Sequence, residues 1–191
     1  MSIIHSIFLR MFGRPKGILG KLGGIIMVRT NQKCAAWVIG LLDIQAHDRI
    51  LEVGFGPGAG IQLLVKSASA GYVAGVDYST EMVEQATTRN AEAIESGRCD
   101  LRHGSVECLP FEDNSFDKAM AINSMQVWPD ASAGLQEMQR ALKPGGRIAL
   151  GFTPYSGQPQ DGVPERLTAA GFTDAHIVAT ELGFCALAVK P

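Results

Sequence analysis

Apolar residues at Ile3, Ile4, Ile7, Phe8, Met11 and Phe12 recur every three to four positions, which predicts a one-sided helix that must cover an apolar surface. Gly13, Pro15, Gly17, Gly20, Gly23 and Gly24 then interrupt any long helix, and a largely apolar helical stretch resumes from Lys33 to Leu42. From Arg49 the pattern changes. Ile50, Leu51 and Val53 read as a short buried strand, followed at once by Gly54-Phe55-Gly56-Pro57-Gly58-Ala59-Gly60 and a helical run from Ile61 to Ser67. Tyr72 to Val76 is a second apolar strand ending at Asp77, and Thr80 to Glu95 reads as one long helix with Met82, Val83, Ala86 and Ala93 on its apolar side. Leu101–His103, Lys118–Ile122 and Arg147–Phe152 supply further strands, with a helix from about Ala131 to Leu142 before the last of them. A short helix over Pro164–Ala170 precedes two strands, Ala175–Thr180 and Phe184–Val189, that flank Glu181-Leu182-Gly183 as a hairpin. Strands alternating with helices predict an α/β fold, a doubly wound and mostly parallel sheet closed by an antiparallel edge and preceded by N-terminal helices.

The length of 191 residues fits one such domain, and 46% hydrophobic with 19% charged residues excludes a disordered chain. No apolar run approaches the roughly 20 residues that span a bilayer. The net charge of −2 lacks the basic surplus of a nucleic-acid binder, so no nucleic-acid partner is expected. That average hides an asymmetry. Residues 1–42 carry Arg10, Arg14, Lys16, Lys21, Arg29 and Lys33 and no acid, a net +6, while the remainder holds 11 basic and 19 acidic residues, a net −8. Two units follow: an N-terminal helical lid or arm over 1–42, and a ligand-binding body over 43–191. Cys34, Cys99, Cys108 and Cys185 are scattered, which predicts reduced thiols and no metal site. The absence of a secretory signal pattern points to the cytoplasm.

A glycine cluster between a strand and a helix lets a ligand approach backbone N–H groups and a helix N-terminus. Gly54, Gly56 and Ala59 also satisfy the loose dinucleotide pattern, so glycine spacing does not choose the ligand. Asp77, 23 residues beyond Gly54, is placed to accept hydrogen bonds from vicinal ribose hydroxyls. Glu52 separates the choices. A carboxylate two residues before the glycine turn repels a pyrophosphate and suits the ammonium of a bound amino acid.

Leu51-Glu-Val-Gly-Phe-Gly-Pro-Gly-Ala-Gly60, Gly75-Val-Asp-Tyr-Ser79, Leu109-Pro-Phe-Glu-Asp-Asn-Ser-Phe-Asp117 and Leu142-Lys-Pro-Gly-Gly-Arg147 together resemble the successive motifs of class I S-adenosylmethionine-dependent methyltransferases, most closely the small "type 11" branch. The resemblance covers roughly residues 45–153 and implies a Rossmann-like, seven-stranded sheet with a reversed last strand. It also implies that Glu52, Gly54, Gly56 and Gly58 receive the cofactor's amino-acid and ribose parts, with Asp77 on the diol and Tyr78 and Met82 beside the adenine. Ser105 and Val106 fall where such enzymes hydrogen-bond the adenine amine, with Ser105 replacing the usual acid; the hydroxyl, Glu107 or the Val106 N–H is left to take that part. Asn123 lies where the family lines the opening between donor and acceptor, and Gln126, Trp128 and Tyr155 are substrate-side candidates. The catalytic candidates are His5, as a general base, with Asn123 and Tyr155.

The reading favoured is methyl transfer from S-adenosylmethionine to a small-molecule or lipid-like acceptor by in-line displacement, yielding S-adenosylhomocysteine under a lid. A phospholipid amine N-methyltransferase touching a membrane through its basic arm, and a non-catalytic cofactor-binding interaction module, stay open beside it, with an NAD-dependent oxidoreductase as a remote third.

Overall fold

A computed structural model of the protein describes residues 32–191. Helix α1 (residues 32–41) precedes β1 (Arg49–Val53), α2 (Ala59–Ser67), β2 (Tyr72–Asp77), α3 (Thr80–Arg89), α4 (Ala91–Glu95), β3 (Cys99–His103) and β4 (Phe116–Ile122). A short 3-10 turn (Met125–Val127), α5 (Ala131–Ala141), β5 (Leu142–Phe152), α6 (Val163–Ala169), β6 (Thr173–Thr180) and β7 (Gly183–Val189) follow. The strands form one seven-stranded sheet in the order β3-β2-β1-β4-β5-β7-β6. Strands β1 to β5 pair in parallel, and β7 runs antiparallel to both β5 and β6. The strand order reverses between β1 and β4, so a crevice opens beyond their carboxyl ends, where ligands of open α/β sheets bind.

Alternation along the central strands places side chains on opposite faces of the sheet. Leu51, Val53, Ala74, Val76, Ala119, Ala121, Ile148 and Leu150 pack with Leu135 and Met138 of α5 and Val163 and Leu167 of α6. Ile50, Val73, Met120 and Ala149 pack on the other face with Val38 and Leu42, with Ile61 and Leu64 of α2, and with Ala86 of α3. Both faces are covered, which is why these strands read as unbroken apolar runs.

The β6–β7 hairpin closes the sheet as the expected antiparallel edge, with β7 between β5 and β6 and β6 outermost. Other expectations are refined. The helix expected over Thr80–Glu95 is two helices, because buried Asn90 donates from Nδ2 to the carbonyls of Gly58 and Ala86 and ends α3 there. Strand β5 starts at Leu142, five residues before Arg147, because Leu142 pairs with Phe116 across a register shift at Lys118. Cys34, Ala35, Val38, Ile39 and Leu42, at the end of the stretch expected as lid or arm, are buried in the second core cluster. The expected helix over Ile3–Phe12, the glycine-marked stretch and His5 lie outside the described residues. Among the described residues no helix is long and apolar enough to cross a membrane.

Candidate active site

The crevice holds a cavity of about 310 Å³ lined by the carboxyl ends of β1, β2, β3 and β4 and the loops that follow them. Gly54 and Gly56 form its floor, with φ of +70° and +55°, backbone that favours glycine. A Cβ on Gly54 would collide with Ser124 Oγ and Cβ. The loop is therefore held by close approach, and its N–H groups are turned inward. Gly54 N–H donates to the Val76 carbonyl at 2.8 Å, Gly56 N–H to Asp77 Oδ2 at 2.8 Å, and Gly58 N–H to the Phe55 carbonyl at 3.1 Å. Gly58, expected at the ligand, lines neither this cavity nor its neighbour; its positive φ and the crowding of Ala86 and Asn90 on it make it a packing position.

Asp77 ends β2 inside the cavity. Its Oδ2 holds Gly56 N–H and its Oδ1 holds Ser79 N–H at 2.8 Å, so the carboxylate is oriented by the two loops it joins. Burial raises its pKa against the opposing pull of those N–H groups and of His103. Glu52 is 3% exposed, and its Oε2 has no hydrogen-bond partner. It lines a smaller adjoining cavity that shares Gly54, Gly56 and Ile122 with the larger one. Any Cβ on Gly60 would press on both Glu52 carboxylate oxygens, so glycine at the start of α2 is what admits this carboxylate. Burial, with the charge of Asp77 adding to it, pushes the Glu52 pKa up to about 8. An orphaned buried carboxylate beside a second acidic group is an unfavourable arrangement until a cation completes it.

Met82 is buried and Tyr78 is 59% exposed; both line the cavity with His103, Gly104, Ser105 and Val106. His103 Nε2 lies 3.0 Å from the Tyr78 carbonyl. On the opposite wall stand Ile122, Asn123, Ser124, Val127, Trp128 and Pro129. Asn123 has a φ of +48°, and its Oδ1 accepts the Thr153 N–H at 2.9 Å, tying the tips of β4 and β5 together. Trp128 donates from Nε1 to Ser124 Oγ at 2.7 Å and packs near Gly134 of α5, so its ring has a fixed attitude in the wall. Ser124 and Gly134 are not marked by any local motif in the sequence; their importance comes from contacts with Gly54 and Trp128 across the fold. Gln126 does not line either cavity, although its Oε1 is buried without a partner. Tyr155 is 88% exposed and also lies off the cavity. The structure thus brings together Gly54, Gly56, Asp77, Tyr78, Met82, Ser105, Val106, Asn123 and Trp128, sets Glu52 next door, and leaves Gly58, Gln126 and Tyr155 outside.

An unpartnered carboxylate oxygen on Glu52, the carboxylate of Asp77 and a close glycine floor fit S-adenosylmethionine, whose ammonium suits the first, whose ribose diol suits the second and whose positive sulfur suits an acidic cleft. The pyrophosphate of a dinucleotide would instead face Glu52 with like charge and meet loop N–H groups already engaged. Comparison with known proteins agrees. Residues 51–150 match the family model described as a methyltransferase domain. The chain is 34% identical over 185 residues to the uncharacterized methyltransferase YdaC of Bacillus subtilis (strain 168), covering 89% of this chain and 98% of that protein. Among solved structures, a SAM-dependent methyltransferase from Aquifex aeolicus superposes with a TM-score of 0.73 at 20% identity, covering 82% of this chain and 89% of that one. Phosphoethanolamine N-methyltransferase 2 of Haemonchus contortus, in complex with S-adenosyl-L-methionine, gives a TM-score of 0.78 at 16% identity, over 96% of this chain and 59% of that one. Motif order, sheet order and the paired acids therefore have one common explanation: the chain belongs to the methyltransferase-domain family of class I, S-adenosylmethionine-dependent methyltransferases.

Proposed function

We propose that the protein transfers the methyl group of S-adenosylmethionine to a small-molecule acceptor seated against the Ile122–Pro129 wall, with the N-terminal segment, from residue 1 to the start of the body, closing over it. When bound, the cofactor supplies a methyl carbon already activated by positive sulfur, so that a lone pair held in line takes it while the carbon–sulfur electron pair returns to sulfur. The protein's own work is then positioning and exclusion of water. Asp77 holds the ribose, Glu52 the ammonium, and the Trp128 ring, fixed through Ser124, shapes the acceptor side.

The observation that carries this reading is the asymmetry of the cavity. Asp77 and Glu81 stand on one wall, while the wall from Ile122 to Pro129 has no charged side chain. Such a wall suits an acceptor with an apolar or aromatic body. His5 is the proposed general base for an N–H or O–H acceptor. The phosphoethanolamine activity of the Haemonchus protein belongs to that protein; the net +6 of residues 1–42 keeps a phosphate-bearing or membrane-surface amine in the test.

The test is transfer of labelled methyl from S-adenosylmethionine across a panel of amines, phenols, quinols and phosphoethanolamine, with neutral and anionic vesicles added in parallel. Labelled product from a soluble acceptor supports the proposal, and product only with anionic vesicles replaces it with the membrane-surface version. Firm binding of S-adenosylhomocysteine without transfer to any acceptor would sink it in favour of a binding module.

A further inference from the structure

The outer half of the sheet is bare of described helices on one face. Helix α1 crosses the sheet over β5, where Val38 Cγ2 would lie 2.6 Å from a Cβ on Gly151, whose neighbour on β7 is Cys185. One flank of α1, with Gln32 and Ala35, lines the small cavity that holds Glu52. The other flank carries Cys34, Trp37 and Leu41, spaced three and four apart along one side of the helix. Cys34 is near enough to Cys185 for its charge to raise that thiol's pKa, so this flank faces β7 and β6. Strand alternation puts Leu187 on the same face as Cys185, and Val178 is the partner of Cys185 on β6. Trp37, Leu41, Val178 and Leu187 are all only partly buried. Helices α2 and α3 lie over β1 and β2, and α5 and α6 pack on the opposite face. Among the described residues no helix lies beyond α1 on this side, which leaves an apolar trough with α1 as its wall and the β6–β7 hairpin as its floor.

The chain carries a segment suited to that trough. The stripe from Ile3 to Phe12 needs an apolar surface to cover. The nineteen residues 13–31 that join it to Gln32 reach roughly 60 Å when extended, against a length of about 15 Å for the ten-residue α1. Charge agrees as well. Residues 1–31 hold Arg10, Arg14, Lys16, Lys21 and Arg29 and no acid, whereas residues 173–189 hold Asp174 and Glu181, both exposed, and no Lys or Arg. We propose that the Ile3–Phe12 stripe of the same chain seats in the trough between α1 and the β6–β7 hairpin, with its basic residues toward Asp174 and Glu181. The trough's upper end adjoins Phe152, which pairs with Phe184, and Thr153, which is tied to Asn123. Seated with its amino end there, the stripe brings His5 to the strand tips beside the acceptor wall. The seat is independent of what the cavity binds; only this orientation rests on the methyl-transfer reading.

The experiment is photo-crosslinking of the full-length protein carrying p-benzoylphenylalanine in place of Ile4 or of Met11, in a mixture of unlabelled and isotope-labelled copies, with the products mapped by mass spectrometry. The probe at position 4 should join the upper end, at Thr180–Phe184 or Phe152–Thr153, and the probe at position 11 the lower end, at Leu187–Val189 or Leu41, both within one copy. Crosslinks from both positions to the Ile122–Pro129 wall, crosslinks only between different copies, or none to the hairpin overturn the seat. Hairpin crosslinks in the reverse order leave the seat and overturn the orientation, while the methyl-transfer reading stands or falls by its own transfer assay. A second measurement is hydrogen exchange in the full-length protein. Phe8→Asp should speed exchange of the amides over His176–Thr180 by roughly 10-fold or more, for loss of one buried aromatic side chain, and leave β1 and β4 unchanged. Phe8→Leu should keep the protection. A rise spread evenly over the whole sheet, or no rise in β6, overturns the proposal.

Discussion

Replacing Glu52 by glutamine should make the ligand-free protein more stable and the cofactor complex weaker. The carboxyl is buried, one oxygen is orphaned, and its pKa stands at about 8 against an ordinary 4.5. Between those two values the unfolded chain loses a proton that the native protein retains. Stability from this group is complete below about pH 4.5, falls as pH rises, and levels off above about pH 8. At about 1.4 kcal/mol per unit, the cost at pH 7 is roughly 3 kcal/mol. Glutamine keeps the shape and does not titrate, so Glu52→Gln should gain about that amount at pH 7, or roughly 6–12 °C in melting temperature for a chain of this length. The gain should shrink toward nothing near pH 4.5. S-Adenosylhomocysteine should bind the variant roughly 10- to 100-fold more weakly, for loss of one charge-assisted pair. The parent should release close to one proton on binding at pH 7, because the ammonium replaces the proton on Glu52. Urea unfolding of both proteins from pH 4.5 to 8.5 and calorimetry in two buffers of different ionisation enthalpy read these outcomes. If parent and variant lose stability in parallel over that range, or binding takes up a proton, Glu52 is not the orphaned acid described above.

Asp77→Asn should weaken S-adenosylhomocysteine binding by roughly 10- to 100-fold in calorimetry, and it should also lower the melting temperature, since an amide oxygen can accept only one of the N–H groups of Gly56 and Ser79 without the amide nitrogen facing the other. Gly54→Ala should cost well over 1 kcal/mol in chemical denaturation, combining left-handed strain with collision on Ser124. Gly145→Ala, at a φ of +77° with open space around it, should cost only the strain, about 1 kcal/mol; equal losses at the two glycines would remove the argument from close approach. Tyr155→Ala should change neither stability nor S-adenosylhomocysteine affinity by more than about 0.5 kcal/mol, because the ring is solvent-exposed and off the cavity; a binding defect would return it to the site.

Sheet and cofactor were legible in the sequence because both are written locally. Apolar runs such as Ile50–Val53 and Tyr72–Val76 mark strands covered on both faces, and an acid at the end of the second strand is a one-residue signal. What was not legible depends on partners distant in sequence. Asn90 looks like one more polar helix residue until its amide is seen on Gly58, 32 positions away. The pairing of Leu142 with Phe116 lengthens β5 through a Lys-Pro-Gly-Gly segment that reads as a turn on its own. Gln126 and Tyr155 were assigned by proximity to strand ends, yet a 3-10 turn carries Gln126 off the cavity and a loop carries Tyr155 into solvent.

The glycine loop shows why local spacing was a poor guide to what the loop does. The pattern suggested N–H groups offered to a ligand, but Gly54, Gly56 and Gly58 donate to Val76, Asp77 and Phe55. Their lack of side chains gives space, and their N–H groups fasten the loop to β2 and to Asp77 itself. The two acids beside it are groups that a glycine count does not see: Asp77 is oriented by the loop through the Gly56 N–H, and Glu52 is admitted by Gly60. A dinucleotide loop of the same spacing needs its N–H groups free for phosphate. The difference between a phosphate-binding and a sulfonium-binding version of one strand–turn–helix thus lies in where the loop N–H groups point and in the sign of the charge behind them. Position 52 is the simplest place to read it, since a carboxylate buried two residues before the turn favours only a ligand that brings positive charge to that end.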